Sequence, residues 1–107
     1  MHPLPDMIQV LVHHHVEDYN RFKPVFDHNR ATRKEAGALY ERLSCSEHDP
    51  NDLYLFFEWD STERARKYMG SFDTLERMRE AGVLGKPEIT YFKEIETRLL
   101  RDSSQAA

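Results

Sequence analysis

Three consecutive histidines, His13, His14 and His15, stand inside an otherwise apolar run, VLVHHHVEDY, from Val10 to Tyr19. Imidazole changes charge nearest to neutral pH and is the commonest metal ligand, so the run offers acid–base or metal chemistry. Its Val, Leu and Ile content reads as a strand, in which successive side chains point to opposite faces. His13 and His15 then share one face with Gln9 and Leu11, while His14 shares the other with Val10, Val12 and Val16. The triplet is a pair plus one. A His-x-His pair on a strand can present two imidazoles to one ion, but a metal site needs a third or fourth ligand. His28, Glu58 and Asp18 are the candidates and they are scattered along the chain, so no metal site is expected.

His14 is the sharper case, because an imidazole in an apolar row must find a hydrogen bond or stay neutral at some cost. Glu58, on a strand the topology can place beside the first, is a possible partner. A carboxylate there would raise the imidazole's basicity toward that of a general base. A satisfied core histidine is the other reading. Arg33 can anchor an anionic or carbonyl group, or pair with an acidic neighbour. Tyr19, Phe22, Phe26, Phe57, Trp59 and Tyr91 can wall a pocket for a flat molecule, or be ordinary core. The only cysteine, Cys45, has no adjacent base, and no phosphate-cradling glycine loop or nucleophile elbow is present.

These residues need elements to hold them. Ile8 to Val16 reads as a strand. Tyr19, Phe22, Phe26, Arg33 and Ala36 recur at helical spacing, with Asp18 as N-cap and a kink or restart expected at Pro24. Gly37 ends that segment and Leu39 to Ser46 resumes strand chemistry. HDPND, His48 to Asp52, gathers turn residues before LYLFFEWD, Leu53 to Asp60, the most apolar segment. Asp60 or Ser61 can start the next helix, Gly70 can end it, and Ser71 can cap another carrying Phe72, Leu75 and Met78 on one side. Gly82 and Val83 fit a stop, and Pro87 to Glu96 supplies a last strand. The order is β-α-β-β-α-β: an α+β, ferredoxin-like split βαβ fold with a four-stranded antiparallel sheet.

With 107 residues the chain has room for one domain, 1–107, with its core at about 8–97 and a frayed tail at 98–107. Fifteen Lys and Arg interleave with nineteen Asp and Glu for a net charge of −4, which leaves no basic face for nucleic acid. No apolar run approaches a membrane span. The N-terminus MHPLPDM lacks the basic and apolar regions of a leader, and a lone cysteine fits a reducing compartment, so a cytoplasmic protein is expected. In Leu53 to Asp60, Leu53, Leu55, Phe57 and Trp59 alternate with Tyr54 and Phe56, so both sheet faces read as apolar. Helices can cover only one, and a second copy of the chain is the economical cover for the other.

In this order the segments HHVEDYNRFKPVFD, RKEAG, DPND, LFFEWD and REAGVLGKPEI resemble the antibiotic-biosynthesis-monooxygenase-like branch of the dimeric α/β-barrel superfamily, over about Ile8 to Glu96. His14, Val16 and Asp18 match its H-x-V-x-D, Arg33 and Gly37 the end of its first helix, and Glu58 and Trp59 its E-W. Phe22 stands where the pattern often has Trp. The resemblance implies a dimeric α/β barrel with a pocket between the sheet and the first helix. It also implies a small enzyme resembling cofactor-independent monooxygenases or polyketide cyclases, with no bound flavin or metal. His14, Glu58 and Arg33 would be its catalytic groups, acting by base-assisted proton removal on a small aromatic or polyketide-like substrate that the six aromatics would bind. A non-catalytic small-ligand-binding or stress-related dimeric module is the alternative.

Overall fold

The computed structural model describes residues 6–101; the expected leader-free N-terminus and the end of the expected tail lie outside them. Strand β1 (Ile8–Val16) is followed by helices α1 (Tyr19–His28) and α2 (Arg30–Glu35), then β2 (Ala38–Ser46) and β3 (Asp49–Trp59). Helices α3 (Thr62–Met69) and α4 (Phe72–Glu80) and strand β4 (Val83–Phe92) complete the chain. The sheet order is β2-β3-β1-β4 with every pair antiparallel. This is the expected ferredoxin-like fold, with each helical arm split in two.

Local chemistry sets the boundaries. The Asp18 carboxylate accepts the Asn20 amide at 2.9 Å and caps α1. The helix does not break at Pro24, which lies inside it. It ends at Asn29, whose side chain donates to the Val25 carbonyl at 2.9 Å while its backbone leaves helical geometry. Ser61 and Ser71 cap α3 and α4 by accepting the amides of Arg64 and Thr74. Gly37 and Gly82, both at positive φ, turn the chain out of the helical arms into β2 and β4.

Two expected boundaries shift, and one helix face differs. The hairpin turn is Glu47–His48, not HDPND, and Asp49 to Asp52 belong to β3, with a register shift at its mouth between Cys45 and Ser46. Asp and Pro have low strand propensity, but pairing to β2 and β1 overrides it. Strand β4 begins at Val83 and ends at Phe92, so residues 93–101 are in neither helix nor strand and Ile95 is exposed. On α4 the inward residue is Thr74, while Phe72 and Leu75 are exposed.

The core lies between the sheet's inner face and the helices. Trp59, Leu53, Val10 and Val12 are its largest fully buried side chains. The opposite face divides along its length. One end is aromatic, with Phe56 between Tyr40 and Phe92 at ring separations of 6.1 and 6.2 Å. The other end is polar and carries His13, His15, Asp52 and Glu88, so the expected largely apolar second face is apolar only at its aromatic end. No described helix is long and apolar enough to cross a membrane.

Candidate functional site

His14 is 5% exposed and points into the helix side with the buried valines of β1. Its ring stands edge-on to Phe22, 5.5 Å between centroids, and its Nδ1 is buried with no hydrogen-bond partner among the described residues. Burial pushes its pKa down to about 4, reinforced by the flanking His13 and His15, so the imidazole is neutral at pH 7. An unpartnered buried polar atom costs roughly 1–3 kcal/mol, and here its residue lines a cavity.

The cavity has a volume of about 60 Å³, lies between the sheet and the helices and is partly open. Val12 and His14 of β1 and Leu55 and Phe57 of β3 form its floor, Phe22 and Phe26 one wall, and Thr74, Arg77 and Met78 of α4 the facing wall. That space holds a few waters and is well below the ~300–1,000 Å³ of ordinary small-molecule sites. Outside it, between α1 and α4, lies a polar groove of about 620 Å³ bordered by His28, Asp73, Glu76 and Glu80. Val25, Asn29 and Arg77 line both spaces, so these three side chains separate the groove from the cavity.

The residues singled out from the sequence divide into three sets. His14, Arg33, Phe22, Phe26 and Phe57 converge on the cavity. Arg33 does so with its guanidinium already engaged: Nε and Nη2 donate to the two Glu41 carboxylate oxygens at 2.9 and 3.1 Å, and Nη1 donates to the Phe26 carbonyl at 2.8 Å. It also lies 3.8 Å over the Phe26 ring. Only 4% exposed, it holds α2 to β2 and α1. Trp59, Tyr91 and Tyr19 line other places. Trp59 donates its indole N–H to the Ala36 carbonyl at 2.8 Å, Tyr91 carries the Arg66 guanidinium 4.1 Å above its ring, and Tyr19 borders a cleft near Cys45.

The third set is Glu58 alone, and the expected His14–Glu58 pair does not form. Antiparallel register puts Leu53 opposite His14, and Glu58 opposite Gln9 at the far end of β1. The odd separation from Leu53 also turns Glu58 to the other face. What the sequence did not single out is Arg77, half-buried at the mouth of the cavity, with no ion-pair partner among the described residues. It follows Thr74 by three residues and precedes Ala81 by four, a helical face on which Thr and Arg hide the pattern from a search for apolar periodicity.

Comparison with solved structures gives the fold a context. SnoaB, a cofactor-independent oxygenase from Streptomyces nogalater, superposes with a TM-score of 0.71 at 16% identity, over 86% of this chain and 96% of that one. A protein from Bordetella bronchiseptica assigned as an antibiotic biosynthesis monooxygenase gives 0.70 at 18% identity, over 85% and 99%. One from Caulobacter crescentus with the same assignment gives 0.69 at 22%, over 85% and 92%. The fold is therefore that of the antibiotic-biosynthesis-monooxygenase-like proteins. No protein-family model matches the sequence, and no curated protein matches it.

Proposed function

We propose, on a fold shared with SnoaB, that this chain is a small homodimeric enzyme of the cofactor-independent monooxygenase or cyclase kind, acting on a small aromatic or polyketide-like molecule. The observation that supports it best is the buried, unpartnered Nδ1 of His14, a residue of a largely apolar cavity. A neutral imidazole so placed is a proton acceptor with nothing else to accept from.

For the reacting ring to enter past Val25, Asn29 and Arg77, these side chains swing aside and widen the cavity, with the rest of the molecule in the outer groove. His14 takes a proton from a phenol or from a CH₂ beside a carbonyl. A base with a conjugate-acid pKa of about 4 faces a phenol near 10, a gap of about 8 kcal/mol if the two stayed apart. The cost falls because the anion forms against the new imidazolium in a low-dielectric cavity, and because Arg77 supplies a free positive charge at its mouth. Arg33, already bound to Glu41, keeps the wall in place. In the oxygenase branch O₂ is the oxidant: one atom becomes a carbonyl oxygen on the former CH₂ and the other leaves as water. In the cyclase branch the carbanion attacks a carbonyl of the same molecule.

The test is oxygen uptake and product analysis on hydroxylated anthrones, naphthacenones and quinols. His14→Gln is expected to lower turnover about 10²–10⁴-fold with ligand affinity retained, the usual range for losing a general base. Arg77→Gln is expected to raise KM. A second reading, a binding module without turnover, is favoured by the cavity's small volume and His14's weak basicity. Ligand-induced thermal stabilisation with no product and no oxygen uptake across the panel would select it.

A further inference from the structure

On the sheet face away from the cavity, His13, His15 and Asp52 each offer one ligand atom, and these atoms lie within 4.8 Å of one another. The set exists because the hairpin turn falls at Glu47–His48, which makes Asp52 a strand residue paired with His15 in register. His13 and His15, two residues apart on β1, then face the same carboxylate: His13 Nε2 is 2.6 Å and His15 Nδ1 3.6 Å from Asp52 Oδ1.

The outer nitrogens also lie near carboxylates. His13 Nδ1 is 3.2 Å from Glu88 on β4, and His15 Nε2 is 3.7 Å from Asp49 on β3. Each imidazole thus turns one nitrogen toward Asp52 and backs the other with a separate carboxylate. That is the carboxylate–histidine arrangement that fixes the tautomer and orientation of metal-ligating imidazoles. Among the described residues none of the three carboxylates pairs with Lys or Arg. The His13 ring is further held by stacking on Tyr54, 4.3 Å between centroids and 3° from parallel.

We infer that His13, His15 and Asp52 bind a divalent cation of the zinc class, with Glu88 and Asp49 orienting the imidazoles and the fourth position open to water. Two imidazoles and one carboxylate suit Zn²⁺ and its borderline neighbours better than Mg²⁺ or Ca²⁺, which prefer all-oxygen sets. Tetrahedral Zn²⁺ with bonds near 2.0–2.1 Å needs ligand atoms roughly 3.3 Å apart. The His13–Asp52 contact at 2.6 Å must open, and the two imidazole nitrogens, up to 4.8 Å apart, must draw together by side-chain rotation on the strand platform. The ion would tie β1 to β3 directly, and to β4 through Glu88.

The experiment uses untagged, chelator-stripped protein titrated with ZnCl₂ by calorimetry, and with Co²⁺ followed by visible absorption. One ion per chain, a tetrahedral cobalt spectrum and a rise in the thermal midpoint with Zn²⁺ are expected. Asp52→Asn and His15→Ala are expected to abolish saturable binding, and Glu88→Gln to weaken it roughly 10–100-fold. Circular dichroism checks that each variant folds, which the exposed position of His15 favours. Absence of binding at millimolar Zn²⁺, or undiminished one-to-one binding in a His13→Ala, His15→Ala double variant, would overturn the site. The readouts are independent of turnover, so they stand or fall apart from the proposed enzymatic reading.

Discussion

His14 makes the stability of the inner face depend on pH. In the unfolded chain its imidazole takes a proton below about 6.5, while in the folded chain it does so only near 4. The unfolded state therefore binds more protons between these values, so the stability His14 allows is present above pH 6.5 and is lost as pH falls toward 4. At 1.36 kcal/mol per unit the loss reaches roughly 3 kcal/mol. Urea unfolding in EDTA at pH 7 and pH 4.5 should show a steeper fall for the native sequence than for His14→Leu. Equal falls in the two proteins would mean that His14 is not held neutral by its surroundings. His13, one residue away, has its pKa raised, first by its hydrogen bond to Asp52, which shows how completely strand alternation separates neighbours in sequence.

At the scale of elements, the end of the first helical arm is the tightest junction. Gly37 has φ +116°, and a Cβ there would strike the Asp60 carboxylate and come within 2.8 Å of Trp59 Nε1, which is bonded to the Ala36 carbonyl. Gly82 also has positive φ, but a Cβ there would meet its nearest atoms at 3.5 Å. Gly37→Ala should therefore cost more than Gly82→Ala, which bears only the backbone penalty of roughly 1 kcal/mol. Denaturant midpoints showing the reverse order would contradict the packing described. The same junction sets the cavity wall, because Arg33 leaves α2 four residues earlier to grip Glu41 of β2.

For the whole molecule, the two sheet faces have different work. The helix face carries the core and the cavity. The open face carries the aromatic cluster at one end, where Tyr40 and Phe92 are 43% and 39% exposed, and the histidine–carboxylate cluster at the other. Exposed stacked aromatics on an uncovered sheet support the homodimer proposed above. Sedimentation should give a dimer at micromolar concentration, and a Phe56→Lys, Phe92→Lys variant should sediment as a folded monomer. A native chain that sediments as a monomer would remove the dimer.

Much of this was legible in the residues themselves. Apolar alternation and capping residues specify which segments become strands and helices, because those preferences are local: Asp18, Ser61 and Ser71 cap where their side chains predict, and Gly37 and Gly82 turn the chain where only positive φ will serve. Alternation alone also assigned His14 to the buried face and His13 and His15 to the other. Pairing register was not legible, since it depends on which residues of distant strands meet. A turn displaced to Glu47–His48 moved Asp52 beside His15 and left Glu58 facing away from His14. The fate of charged groups was likewise a tertiary matter: Arg33 is spent on Glu41 while Arg77 stays free, a difference set by the three-dimensional neighbours of two otherwise equivalent guanidinium groups.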